Sequence, residues 1–117
     1  MTPPTPQSLF RQWDIVRVRV NPTDRDQHFV VIITPDAAIA RRGRVNVLHG
    51  TTRRPAEKIV LGEVLLDEAD GLECQTIVDC AFFPVVQLAQ ITARIGSVTY
   101  ERRQAILRTI GACLRGS

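Results

Sequence analysis

The sequence predicts a mainly β fold of the α+β class: a small barrel-like or twisted antiparallel sheet closed by one C-terminal helix. Three observations predict it. Short β-branched or alternating runs recur along the chain, turn-forming residues separate them, and one stretch near the end carries apolar residues at helical spacing.

The elements follow in order. "MTPPTPQS" is Pro-rich and uncharged and lacks the basic start and apolar core of a signal peptide. Residues 1–11 therefore read as a flexible leader, and residues 12–117 as a single domain of a cytoplasmic protein. "WDIVRVRV" alternates Val16, Val18 and Val20 with Arg17 and Arg19, the period of a half-buried strand with a basic outer face. A polar loop, "NPTDRDQ", leads to His28 and then to "FVVIIT", whose apolar character on both faces marks a central strand. "PDAAIARRGR" reads as a loop or short helix stopped by Gly43. "VNVLHGTT" reads as a third strand, with Val45, Val47 and His49 on one face and Asn46 and Leu48 on the other.

"RRPAEK" is a loop, and a strand in "IVLGEVLL" runs to about Leu66. "DEADG" then reads as a solvated acidic turn closed by Gly71; without a Gly-rich phosphate loop it is no helicase signature. "CQTIVDCAFFPVVQL" holds a strand broken by Pro84 and a short helical turn, and "ARIGSV" a last short strand. "TYERRQAILRTIGACLRG" is the clear helix. Thr99 caps it, Glu101 suits its positive end, Gly116 ends it, and Ile106, Leu107, Ile110, Cys113 and Leu114 form the apolar stripe.

Composition narrows the function classes. With 117 residues and 44% apolar content the chain can bury a core, and no apolar run approaches a membrane span. The net charge of +3 is mild, but Lys58 is the sole lysine, so the positive charge is almost all arginine. Arginine forks grip phosphates and stack on bases. Arg41, Arg42, Arg44, Arg53 and Arg54 fall close together in sequence, which raises the expectation of a basic face for a polyanion. Three cysteines without C-x-x-C spacing argue against a disulfide framework and, with only His28 and His49 to assist, against a metal site. No cofactor is implied; mostly buried free thiols are expected.

The order of these pieces is similar to the MazF/PemK family of bacterial toxins. "DIVRVRVNPT", "FVVIIT", the strand ending in "GTT", "EVLLDEADGL" and the Gly-Ser-Val-Thr-x-Glu start of the last helix follow one another as they do there, over about residues 12–115. The resemblance implies an SH3-like barrel, a homodimer, and metal-independent cleavage of single-stranded RNA at short sequences. It also implies a cognate antitoxin whose disordered tail covers the RNA groove. In the chemistry it implies, the RNA 2′-hydroxyl attacks the neighbouring phosphorus and leaves a 2′,3′-cyclic phosphate and a 5′-hydroxyl.

Carried over residue by residue, the resemblance is mixed. Where the family has Arg-Pro at the entry to the second strand, this chain has His28-Phe29. An imidazole can move a proton near neutral pH but gives up the bidentate phosphate clamp, which Arg25 or Arg53 is expected to restore. Thr51 and Thr52 match the family threonine, whose hydroxyl can donate to a phosphate oxygen. The expected catalytic set is His28, Thr51, Thr52 and Arg25, with Arg53, Arg54, Phe83 and Asp79 as RNA contacts and Phe82 or Phe83 offering a stacking surface. "DCAFFP" lacks the family's basic residue, and Asp79 lies about one position from the family aspartate. These departures keep two rivals open: a CcdB-like toxin of the same fold that binds a protein target such as gyrase, and a degenerate member that only binds nucleic acid or a partner.

Overall fold

A computed structural model of the chain describes residues 9–19 and 28–115. Seven strands form an antiparallel sheet: β1 (Asp14–Val18), β2 (His28–Ile32), β3 (Arg44–Thr52), β4 (Glu63–Leu66), β5 (Thr76–Asp79), β6 (Val85–Gln87) and β7 (Ile91–Ser97). Two helices complete it, α1 (Asp36–Arg42) and α2 (Tyr100–Leu114). The order across the sheet is β4-β5-β3-β2-β1-β7, with β6 paired to the first residues of β3. β4 and β7 end the path without pairing each other, so the sheet is twisted and open rather than a closed barrel.

β2 is central, as its two-sided apolar run requires. Its neighbours are Val18, Val16 and Ile15 of β1 on one side and Gly50, His49 and Leu48 of β3 on the other. Successive side chains alternate between two cores. Ile15, Val31, Leu48, Leu66, Val78 and Ile106 build the first, beneath α2. Val16, Val18, Val30, Ile32, Val47 and Ile39 of α1 build the second, to which Phe10 adds its ring. Each fully buried Ile or Leu contributes about 1.5–3 kcal/mol of transfer free energy. β1 is thus buried on both faces at Ile15 and Val16, beyond the half-buried strand that its alternation predicts.

Two glycines make close approaches. At Gly50 an added Cβ would stand 2.9 Å from Thr76 Cγ2 and 3.1 Å from the Phe29 carbonyl, so only glycine lets β2, β3 and β5 close up beside Thr51. At Gly96 an added Cβ would collide with the Asp70 carbonyl. Gly43 adopts φ 68° as the C-cap of α1, the stop that the sequence predicts.

The acidic turn corrects the sequence reading. Glu68–Asp70 form a single 3-10 turn, and the Asp70 side chain is fully buried rather than solvated. It accepts from the Asp67 backbone (3.0 Å), the Thr99 backbone (2.9 Å) and Arg102 Nη1 (2.9 Å), while Arg102 Nη2 reaches Asp67 at 3.0 Å. A buried carboxylate is tolerated because every approach to it is a donor. The Arg102 guanidinium, with the Ala69 backbone N–H, holds the Asp67 carboxyl below its ordinary pKa.

Helix α2 also differs from its predicted stripe. Ile106 is buried and Ile110 packs on the first core, but Leu107 is 49% and Leu114 72% exposed. Leu107 and Leu114 lie seven residues apart on one outward face, so five stripe positions overfill the side that a single sheet can cover. Thr99 caps the helix, accepting from the Arg102 backbone at 3.4 Å. The helix ends at Leu114, and Gly116, predicted as its stop, lies outside the described residues, as does Val20.

Candidate nucleic-acid interface

His28 is the first residue of β2, half-buried, paired with Val18. The β2–β3 register sets Phe29 against Gly50 and Val30 against His49; continued by one residue, it sets His28 against Thr51. By strand alternation His28, His49 and Thr51 share the face of the second core. The His28 and His49 rings stand 5.4 Å apart at a tilt of 54°. Below them the face is apolar, with Val18, Val30 and Val47 buried, while Thr51 is exposed at the mouth. Two imidazoles and a hydroxyl on one wall can move two protons and donate a hydrogen bond to a phosphate oxygen.

Thr52 goes elsewhere. It points to the opposite face and lines a cavity of about 280 Å³ with Arg17, Phe29, Cys74, Thr76 and Arg94. There the Arg17 guanidinium lies 5.5 Å from the Phe29 ring centroid, a cation–π contact. Arg94 is engaged by buried Asp14 at 3.0 Å. The sheet therefore separates two threonines that the sequence places side by side.

The expected RNA contacts scatter. Arg53 donates through Nε to the Glu57 carbonyl (2.8 Å) and through Nη1 to Gln75 (2.9 Å), which ties it to its own loop and to the residue before β5. Arg54 is exposed, and its backbone N–H caps onto Glu57 at 2.9 Å. Asp79 accepts from the Ala81 backbone at 2.8 Å and shapes the turn after β5, opposite Glu63. Phe83 turns onto the first core, and Phe82, 61% exposed, is the ring free to stack. Arg25 lies outside the described residues.

The arginine cluster is also divided. Arg44 opens the nine-residue strand β3 and Arg53 follows its last residue, so an extended strand sets them roughly 30 Å apart. Closeness in sequence becomes distance along β3, so these arginines do not form one basic face.

Among the described residues no group of His, Cys, Asp and Glu could hold a metal ion. Cys80 is buried, and burial, then the neighbouring Cys113, Asp79 and Glu63, push its thiol up to about 12, so it stays neutral. Cys74 is exposed, contrary to the expectation of mostly buried thiols. His49 stands outside the catalytic set expected from the sequence, yet its ring shares the face of His28 and Thr51. Strand alternation makes this legible in sequence: positions 47, 49 and 51 share one face.

The family model for the PemK-like, MazF-like toxin of type II toxin–antitoxin systems matches residues 11–114. The chain belongs to the PemK/MazF toxin family. Solved structures of similar fold include the Mycobacterium tuberculosis toxin MazF-mt6, with TM-score 0.73 and 20% identity over 87% of this chain and 96% of that one. A mycobacterial endoribonuclease in complex with its cognate antitoxin has TM-score 0.73 and 14% identity, over 90% and 92%. A MazE–MazF complex from Deinococcus radiodurans has TM-score 0.73 and 14% identity, over 90% and 95%. No curated protein sequence matches the chain. Within this PemK/MazF toxin, His28 and Thr51 come to one face of the sheet, and Thr52 does not.

Proposed function

We propose that this PemK/MazF toxin is a metal-independent endoribonuclease that cleaves single-stranded RNA at short sequences. The observation that carries the reading is the His28–Thr51 juxtaposition on an accessible face, in a chain whose family membership spans residues 11–114. The RNA supplies its own nucleophile, the 2′-hydroxyl, so the protein has to move protons and stabilise charge on the phosphoryl oxygens. His28 takes part in proton transfer, and the Thr51 hydroxyl orients the scissile phosphate. Arg25, three residues before His28, is assigned to the developing negative charge. The 2′-hydroxyl requirement makes RNA, not DNA, the substrate.

The reading includes a homodimer and a cognate antitoxin. Antitoxin complexes are named for two of the similar structures, and an apolar groove between residues 59–63 and α2 offers surface for association. The test is direct. Purified protein is incubated with mixed-sequence RNA in EDTA, beside a His28→Ala variant. Cleavage by the first and loss of about 10²-fold or more in the second are expected; an inert wild-type protein would overturn the reading.

A further inference from the structure

The paired imidazoles carry an inference that rests on the nuclease reading and deepens it. His49 sits on β3 with its ring 5.4 Å from that of His28, tilted by 54°, and neither ring is fully buried. Strand pleating fixes the pair, because His28 and His49 occupy diagonal positions on one face of adjacent strands. Thr51 flanks both, two residues along from His49 and across from His28. A phosphate resting against this face meets two imidazoles, each of which can take up or give a proton.

We infer that His28 and His49 act as a divided acid–base pair on one phosphodiester. One imidazole, neutral, takes the proton of the RNA 2′-hydroxyl as the 2′-oxygen forms its bond to phosphorus. The other, protonated, gives its proton to the 5′-oxygen as the phosphorus–5′-oxygen bond breaks. The products are a 2′,3′-cyclic phosphate and a 5′-hydroxyl, with no redox change. One proton is taken and one given, so exchange with water returns the pair to its starting state. His49 is therefore a catalytic residue, not a filler of the sheet face.

The experiment compares His28→Gln and His49→Gln on two substrates, with thermal unfolding as a check on folding. One substrate is ordinary RNA; the other carries sulfur in place of the bridging 5′-oxygen, a leaving group that needs no proton. Both variants should lose about 10²-fold or more on ordinary RNA. On the sulfur substrate one variant should recover to within about tenfold of wild type and the other stay slow, which identifies the acid. A His49→Gln variant cleaving ordinary RNA within about threefold of wild type overturns the inference and leaves the nuclease reading standing. So do two variants equally slow on both substrates. In parallel, the imidazole resonances are followed by NMR as uncleavable 2′-O-methyl RNA is added, and both should shift. A wild-type protein inert on RNA overturns the nuclease reading and the proton-transfer roles together. Shifts at both rings would then retain the pair as a phosphodiester site, and shifts at neither would remove that as well.

Discussion

Thr51 and Thr52 are chemically the same, and only the pleat of β3 tells them apart. Thr51 shares a face with His28 and His49, while Thr52 faces the cavity that holds Arg17 and Phe29. Loss of a hydroxyl aimed at a phosphoryl oxygen costs about 10²-fold in rate. Thr51→Ala should therefore lower RNA cleavage by about that factor and Thr52→Ala by no more than about threefold, measured under single-turnover conditions. Equal losses would dissolve the distinction. The Arg102–Asp70 contact makes a stability prediction. Removing the guanidinium strands a fully buried carboxylate, so Arg102→Ala should cost about 3 kcal/mol in urea unfolding at neutral pH. Asp67 adds a pH dependence. Its folded pKa lies below the ordinary value of about 3.9, so its contribution is full above that value and is lost as pH falls through the depressed one. The stability gap between wild type and Asp67→Asn should shrink from pH 6 to pH 3; a constant gap would show that the Arg102 contact does not act on this carboxyl.

Elements were legible where periodicity and punctuation agreed. "FVVIIT" declared a central strand by being apolar on both faces, Gly43 stopped α1, and Thr99 capped α2. The run Gly96-Ser97-Val98-Thr99 shows what such reading leaves out. Gly96 leaves room for the Asp70 carbonyl, the Ser97 hydroxyl reaches the Trp13 carbonyl at 3.4 Å, Val98 is buried, and Thr99 caps. A motif that helps carry the family resemblance is here the joint between β7, the acidic turn and α2. Gly96→Ala should destabilise by about 1–3 kcal/mol, because backbone and not a flexible side chain stands in the way; an unchanged urea midpoint would contradict that joint. The burial of Asp70 was not legible, since its partners Thr99 and Arg102 come from 29 and 32 residues later. Charge runs are read locally, and this one is satisfied at long range.

The whole molecule is a sheet with a core on each face, α2 packed on the first and α1 on the second. Sequence proximity misled most at this scale: Arg44 and Arg53 stand at opposite ends of β3, while His28 and His49 meet across the β2–β3 ladder. Strand register, fixed by apolar alternation, decides which polar residues meet. The same scale bears on association. Val60 and Leu61 are 59% and 89% exposed beside the groove on α2, an uncovered apolar surface on a 13.1 kDa chain. In the proposed homodimer, Leu61→Asp should weaken self-association about tenfold or more in sedimentation equilibrium, and an unaltered mass would remove the groove from the interface. The nuclease reading itself meets its most direct test in the ends of the cleaved RNA. Wild-type protein in EDTA should leave 2′,3′-cyclic phosphate and 5′-hydroxyl termini, with an RNA bearing 2′-deoxyribose at the cleaved position left intact. Cleavage of that deoxy-substituted RNA, 5′-phosphate termini, or no cleavage at all would contradict it.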